Sequence, residues 1–196
     1  MKKQIFSGNA IYTISIDSDK IDISQILNEF NNNVEHYTFT HYINKRWENI
    51  YLNPQLIPSA LPLLSIAISN ALDLFRDTLE PHQTLLIPHE LLGYNKNEFW
   101  FNTSTTGQST RLHNHVQNAF LSGVFYLNVP DNSANIFFKS NDQTFELEVK
   151  TGEMIFFPSG LDHYVLENKS SETRISLAFN LYLFPISASV LHEMPT

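Results

Sequence analysis

The second half of the chain is a series of short β-rich runs, and this feature most constrains the fold. From residue 98 onward the runs read "FWFNTS", "LSGVFYLNV", "ANIFFKS", "TFELEVK", "EMIFFPS", "HYVLEN" and "RISLAFNLYLF". Segments rich in turn-forming residues, such as "VPDNSAN", "SNDQ" and "KSSET", separate them. Closely spaced strands of this kind predict an antiparallel barrel or sandwich, and we expect a jelly roll over residues 98–185.

The first half of the chain predicts supporting elements for this core. Residues 11–16 alternate as a strand. Asp22 is a helix cap followed by apolar residues at helical spacing, which predicts a helix over about 22–36. A second helix is predicted from about Ser59 to Leu79. We therefore expect an α+β fold with one domain over 1–196, in which the strand and helices of residues 1–97 support the core and the helices pack on one sheet.

Composition excludes several classes of partner and site. The formal net charge of −8 argues against a nucleic acid or an anionic membrane as the main partner. The absence of cysteine excludes disulfides, thiolate metal sites and cysteine nucleophiles. The longest apolar stretch, residues 56–75, contains two prolines and several polar residues, so we expect a core-facing helix and no membrane span. With no continuous apolar run behind the first lysines, a cytoplasmic location is expected.

Three histidines are candidate metal ligands. His113 and His115 in "RLHNH" are two residues apart, and residues at that spacing in a strand project to the same side. In "FFPSGLDH" a rigid turn precedes His163, which can join the pair if the two strands become neighbours. Three imidazoles leave open coordination positions, as a catalytic metal requires. Because the chain has 8 histidines, a chance pair at 113 and 115 remains the alternative.

The last strand carries a candidate anion site. Its alternation separates an apolar face from a face with small and polar residues, namely Arg174, Ser176, Ala178 and Asn180. The planar fork of Arg174 suits a carboxylate, and Ser176 can add a hydroxyl to the same anion. The alternative is a surface arginine paired with Glu172. Tyr126 is expected either to line the same pocket or to be a packed barrel tyrosine.

Four motifs in this order resemble a known family. "WFN" at 100–102, "HNH" followed by "LSGVFYL", "FFPSGLDH" and "RISLAFN" are similar to the small putative 2OG-Fe(II) oxygenases, which depend on iron(II) and 2-oxoglutarate. The N-terminal "IFSGNAIYTISI" resembles the opening strand of the same branch.

This resemblance implies a fold, two cofactors and a reaction. The fold is a double-stranded β-helix, and the implied ligands of Fe(II) are His113, His115 and His163. Arg174, helped by Ser176, would bind the distal carboxylate of 2-oxoglutarate. The implied reaction uses O₂ to hydroxylate a small-molecule or peptide substrate and releases succinate and CO₂. The chain departs from most of the superfamily because His115 stands where an Asp or Glu is usual.

The residues around the same histidines also resemble the motifs of the cupins, which keeps two alternatives open. Cupins have glycines and a proline at fixed distances before their histidines, and Gly107, Gly152, Pro158 and Gly160 stand at those distances here. Their usual Glu is missing at 119 and 120, and their Asn is replaced by Glu167. The alternatives are a cupin-type metal-dependent dioxygenase and a non-catalytic metal- or ligand-binding jelly roll.

The remaining expectations concern the surroundings of the site. His36 and His41 are five residues apart in a β-like stretch, which makes them a poor ligand pair. We expect them to border the mouth of the site or to face solvent. Substrate contacts are expected from the least patterned regions, residues 30–58 and 80–98. A homodimer is left open.

Overall fold

The computed structural model describes residues 1–43, 46–115 and 119–185. The strands of this part are β1 Lys2–Phe6, β2 Asn9–Ser15, β3 Thr38–Ile43, β4 Arg46–Tyr51, β5 Thr84–Leu86, β6 Phe99–Ser104, β7 Thr110–His113, β8 Leu121–Asn128, β9 Ile136–Ser140, β10 Gln143–Leu147, β11 Glu153–Pro158, β12 Asp162–Val165 and β13 Arg174–Phe184. The helices are α1 Ile23–Asn32 and α2 Leu61–Phe75, with short 3₁₀ turns at Val34–His36, Pro54–Leu56, Pro58–Ala60 and Glu90–Leu92.

The strands form two antiparallel sheets. The large sheet has the order β1-β2-β11-β8-β13-β6-β4-β3, with β5 paired to β13, and the small sheet has the order β10-β9-β12-β7. From β6 to β13 the chain passes repeatedly between the sheets, with only the β9–β10 hairpin staying in one of them. This crossing makes β7 and β12 neighbours although about fifty residues separate them. The fold is therefore mostly antiparallel β structure with few helices.

The central strands β8, β11 and β13 of the large sheet are buried on both faces, which explains their nearly continuous apolar sequence. One face contributes to a hydrophobic cluster that includes Phe101, Leu177 and Phe179. The other face contributes to a second cluster, which Tyr126 shares with Phe138 of the small sheet. The second cluster is the interior between the two sheets.

The helices are shorter than the sequence predicts. The Asp22 carboxylate accepts a hydrogen bond from the Gln25 backbone N–H at 3.0 Å, so the predicted cap is confirmed. Helix α1 nevertheless ends at Asn32, and the chain continues as a 3₁₀ turn through His36. Helix α2 begins after another 3₁₀ turn at Pro58–Ala60 and ends at Phe75, not near Leu79.

Side chains of both helices belong to the first hydrophobic cluster. The ring of Phe30 in α1 stacks on Phe101 in β6 with centroids 4.3 Å apart. Helix α2 contributes Leu63, Leu64 and Ala67 to the same cluster. The segment Pro58–Phe75 has a mean hydropathy of 1.3 and is, by length and composition, long and apolar enough to cross a membrane. Core helices of soluble proteins have the same length and composition.

Two hairpins lie where the sequence indicated less structure. Strand β1 pairs with β2. Strands β3 and β4 pair with each other, and Ile50 of β4 lies opposite Phe101 of β6. The hairpin β3–β4 thus extends the large sheet beyond β6, within a region that the sequence analysis treated as poorly patterned.

Candidate metal and cosubstrate site

Two of the candidate histidines face each other across a pair of neighbouring strands. His113 is the last residue of β7 and lies directly opposite His163 of β12. Their ring centroids are 4.3 Å apart. His163 therefore lies beside His113, as the sequence predicts, because the fold makes β7 and β12 neighbours.

His115 reaches the same place by a different route. Strand β7 ends at His113, so strand alternation does not position His115. Instead, the His115 backbone N–H donates to the Ser159 carbonyl at 2.8 Å, in the turn between β11 and β12. Its ring centroid is 5.2 Å from that of His113 and 5.4 Å from that of His163.

The three imidazoles form a group that could hold a metal ion. One ligand nitrogen from each of His113, His115 and His163 lies within 4.8 Å of the others. The Nδ1 atoms of His113 and His163 lie 2.8 and 2.9 Å from the carbonyl oxygens of Arg111 and Leu161. A carbonyl only accepts, so each Nδ1 carries the proton and each Nε2 keeps its lone pair for a metal.

Burial favours the uncharged form of His115 and His163. It lowers the pKa of His115 to about 4, with smaller contributions from His113 and His41. Burial also lowers the pKa of His163 well below its usual value. Metal ligation requires neutral imidazole, so these ligands need not lose a proton to bind a metal at neutral pH.

The candidate anion site is buried and lacks an anion of its own. Arg174 is 5% exposed and opens β13. Its guanidinium carbon is 5.1 Å from the centre of the Tyr126 ring, and burial lowers its pKa. None of the ion pairs among the described residues includes Arg174, so the alternative of a surface arginine paired with Glu172 is wrong.

Unpaired polar atoms in this pocket fit a carboxylate ligand. The Tyr126 hydroxyl and the Arg174 guanidinium interact with each other. Within the described part of the chain, neither the Arg174 Nε nor the Tyr126 hydroxyl has a well-aligned hydrogen-bond partner. Ser176 is buried beside them and lies opposite Tyr126 in the sheet. Buried donors without partners are costly, so an acceptor bound beside these residues would satisfy them.

The triad and the arginine pocket border the same interior. Phe157 packs on the His163 ring with centroids 4.8 Å apart. Phe157 and Tyr126 belong to the same hydrophobic cluster between the sheets. Tyr126, the neighbour of Arg174, and Phe157, the neighbour of His163, thus line one interior between the two sheets.

A polar network on the large sheet was missed by sequence reasoning. Ser122 Oγ donates to Asn180 Oδ1 at 2.9 Å, and Asn180 Nδ2 donates to Glu98 Oε2 at 3.1 Å. The alternation of β13 predicts Asn180 on its polar face, but the sequence indicates no role for Glu98. Its partners come from distant strands, so no local signal in the sequence indicates the network.

The rim of the site also contains residues that sequence reasoning did not assign. Trp100 lies 5.7 Å from His115, and Tyr51 lies 6.0 Å from Trp100, measured between ring centroids. Trp100 belongs to the "WFN" motif, which was the available signal. Electrostatic interaction with His41 contributes to the lowered pKa of His115. His36 is exposed in a 3₁₀ turn.

Comparison with known proteins agrees with this geometry. The family model described as "Putative 2OG-Fe(II) oxygenase" matches residues 98–148 and 138–180, which span the barrel strands. The barrel strands of this chain are therefore similar to that family over residues 98–180, which is less than half of the chain. The family consists of oxidoreductases and implies Fe(II) and 2-oxoglutarate as cofactors, and the histidine triad could bind the iron.

Solved structures share the fold at low sequence identity. The carbocyclase SnoK from nogalamycin biosynthesis, a non-heme α-ketoglutarate-dependent enzyme, has a TM-score of 0.64 and 10% identity, over 88% of this chain and 79% of that one. A Pseudomonas putida prolyl-4-hydroxylase has a TM-score of 0.58 and 16% identity, over 87% of this chain and 92% of that one. No curated protein matches the sequence. At these identities the likeness shows the fold alone.

Proposed function

We propose that this protein is an Fe(II)- and 2-oxoglutarate-dependent dioxygenase that hydroxylates a small-molecule or peptide substrate and releases succinate and CO₂. One observation carries the proposal. A triad of imidazoles borders the same interior as a buried arginine without a carboxylate partner among the described residues. A metal and a dicarboxylate cosubstrate would satisfy both halves of this arrangement.

His113, His115 and His163 would hold the iron. Their neutral rings leave the ion its full charge, which an Asp or Glu at position 115 would partly cancel. The backbone hydrogen bond from His115 to Ser159 and the carbonyls that hold the other two rings fix the ligand directions. When bound, Fe(II) and 2-oxoglutarate supply the oxidising power for O₂-dependent hydroxylation, which side chains lack.

Arg174 would bind the distal carboxylate of 2-oxoglutarate. Its fork can donate two parallel hydrogen bonds, and the hydroxyls of Tyr126 and Ser176 can donate to the same anion. The pocket is dry because all three residues are buried, and low local polarity strengthens each of these contacts. The guanidinium would thereby orient the cosubstrate towards the triad.

The fold that presents these groups is proposed to be a jelly roll in a single domain. Residues 98–185 would form the core, and residues 1–97 would support it, with the helices on one sheet. The support for this is the passage of β6–β13 between the two sheets and the hydrophobic cluster that α1 and α2 share with the large sheet.

Titration of the anaerobic iron protein with 2-oxoglutarate tests the proposal. We expect a metal-to-ligand charge-transfer band in the wild type. In Arg174→Ala the cosubstrate affinity should fall by at least about tenfold, because a hydrogen bond to a charged group contributes about 1.5–3 kcal/mol. Arg174→Lys should recover part of this loss, since it keeps the charge but not the fork.

Iron content is the control in this experiment. It should be unchanged in both Arg174 variants, because the histidines are untouched. A wild type that binds iron but shows no band would contradict the proposal and would favour the cupin-type or non-catalytic alternative. A cupin has no need of a buried arginine in β13.

A further inference from the structure

The β3–β4 hairpin has one side directed towards the histidine triad. Residues directly opposite each other in this antiparallel pair share a side, which gives Thr40 with Asn49 and Tyr42 with Trp47. By the same alternation Tyr51 is on that side, and its ring contacts Trp100, which contacts His115. We call this side, made of Thr40, Tyr42, Trp47, Asn49 and Tyr51, the site face of the hairpin.

His41 has been turned onto the site face at a conformational cost. Strand alternation would place it on the other side, with Phe39. Its φ of 61° is instead in the left-handed region, which is strained for a residue with a side chain. The ring consequently meets two site-face residues, with Nδ1 at 2.8 Å from Thr40 Oγ1 and 3.1 Å from Asn49 Nδ2. Strain of this kind concentrates at functional sites.

These contacts leave His41 with a free donor beside the metal triad. The Asn49 amide and the Thr40 hydroxyl both donate, so His41 Nδ1 accepts and the ring proton is on Nε2. Asn49, which contacts His41, is two residues from Tyr51 in β4, and the Tyr51 ring leads through Trp100 to His115. His41 is itself exposed, so its Nε2–H is available to a ligand at the mouth of the site.

Two aromatic rings on the site face are exposed next to this donor. Tyr42 is 60% and Trp47 is 45% exposed, and their ring centroids are 5.0 Å apart. An isolated exposed aromatic residue is ordinary. The Trp47 ring also lies 6.0 Å from the Phe39 ring, between centroids. The exposed Tyr42–Trp47 pair is a surface on which a flat apolar group can stack.

We propose that the site face binds the substrate, and that the substrate carries an aromatic ring with a hydrogen-bond-accepting oxygen. The ring would stack on Trp47 and Tyr42, and the oxygen would accept from His41 Nε2. This inference rests on the proposed function, because it places the substrate beside the metal. A peptide added as a strand fits less well, since the left-handed residue interrupts the extended edge of β3 that such a strand would pair with.

Binding of simple probes tests the inference without relying on turnover. The protein is loaded with Mn(II), and binding of 2-naphthol, naphthalene and cyclohexanol is followed by proton NMR. We expect 2-naphthol to bind most tightly of the three, because it has both the ring and the oxygen. Its resonances should broaden when Mn(II) is present, because the paramagnetic ion lies close to the bound probe.

Two variants separate the roles of the donor and the rings. Glycine tolerates positive φ, so His41→Gly removes the donor without harming the backbone. It should weaken 2-naphthol binding by about fivefold and leave naphthalene binding unchanged. Trp47→Ala should weaken both naphthyl probes by about fivefold. Phe184→Ala is the control: it removes a ring of similar exposure at the end of β13 opposite to Arg174, and it should change the binding of neither naphthyl probe.

The outcomes that overturn the inference differ from those that overturn the proposed function. Unchanged 2-naphthol binding in His41→Gly, unchanged binding in Trp47→Ala, or no broadening by Mn(II) would each overturn the inference. If the wild type shows the 2-oxoglutarate band but binds no 2-naphthol, the proposed function stands and the inference fails. If the probe binds as expected and the band is absent, the proposed function fails and the site face stands as a binding surface.

Discussion

At the scale of single residues, the candidate site is defined by what its polar atoms lack. Arg174 is buried without a carboxylate partner among the described residues, and the Tyr126 hydroxyl beside it has no well-aligned acceptor or donor there. The two strand-end histidines keep a free nitrogen because backbone carbonyls occupy the other one. A bound metal and a carboxylate would complete these groups, so they give the sharpest predictions.

His115→Ala tests whether the third imidazole is a ligand. We expect the affinity for Fe(II) to fall by at least about tenfold, because only two protein ligands remain. Metal content after anaerobic reconstitution and dialysis measures this. His36→Ala, at an exposed 3₁₀ residue, is the matched control and should retain iron. Full iron content in His115→Ala would show that the site does not depend on three histidines.

Tyr126→Phe separates a ligand-binding role from a packing role. The hydroxyl is buried without a well-aligned partner in the described chain, so its removal should leave thermal stability unchanged or raise it. The affinity for 2-oxoglutarate should fall by roughly two- to tenfold, since a neutral hydrogen bond contributes about 0.5–1.5 kcal/mol. Thermal denaturation and the charge-transfer titration provide the two readings. A destabilised variant with normal cosubstrate affinity would assign Tyr126 to packing alone.

At the scale of elements, the Phe179 ring of β13 lies over Gly123 of β8, its partner in the sheet, and leaves no room there for a side chain. A Cβ added at Gly123 in β8 would lie 2.3 Å from the Phe179 ring of β13. Gly123→Ala should therefore lower the free energy of unfolding by about 1–3 kcal/mol. Gly160→Ala is the control, because a Cβ there meets no atom within 4 Å. Urea denaturation compares them, and equal stability would mean that the Phe179 ring can move aside.

Helix α2 is expected to act as scaffold. Leu64 is 3% exposed and belongs to the cluster that includes Phe101 and Leu177. Leu64→Ala should cost about 2–5 kcal/mol of stability. Leu92→Ala, at a side chain that is 51% exposed, should change stability by less than about 0.5 kcal/mol. Thermal denaturation of the two variants measures the difference. If Leu64→Ala is as stable as the wild type, the buried face of α2 does not include Leu64.

At the scale of the whole molecule, the two halves of the chain share one hydrophobic cluster, which predicts that they unfold together. The chain has 2 tryptophans, Trp47 in the N-terminal half and Trp100 in the barrel. Trp47→Phe and Trp100→Phe each leave one reporter. Fluorescence of both variants and far-UV circular dichroism should give coincident urea transitions. If the urea midpoints reported by Trp47 and Trp100 differ, the two halves of the chain unfold as separate units.

The sequence by itself determined the local features of this protein. Alternation and turn residues marked the strands from residue 98 onward, because both signals depend only on neighbouring residues. The cap at Asp22 and the candidate residues His113, His115, His163 and Arg174 could also be named from the sequence. The stretch of β3 was recognised as β-like, but its pairing with β4 was not, since the mixed polar and aromatic residues of β4 give no clear period.

Only the tertiary structure decided which distant residues meet. It placed β7 beside β12, which brought His113 opposite His163. It held His115 through the carbonyl of Ser159, although strand alternation was the basis for predicting its direction. It also buried Arg174 without a carboxylate partner among the described residues and turned His41 towards the triad. Strand pairing and burial depend on packing of the whole chain, so no local pattern determines them.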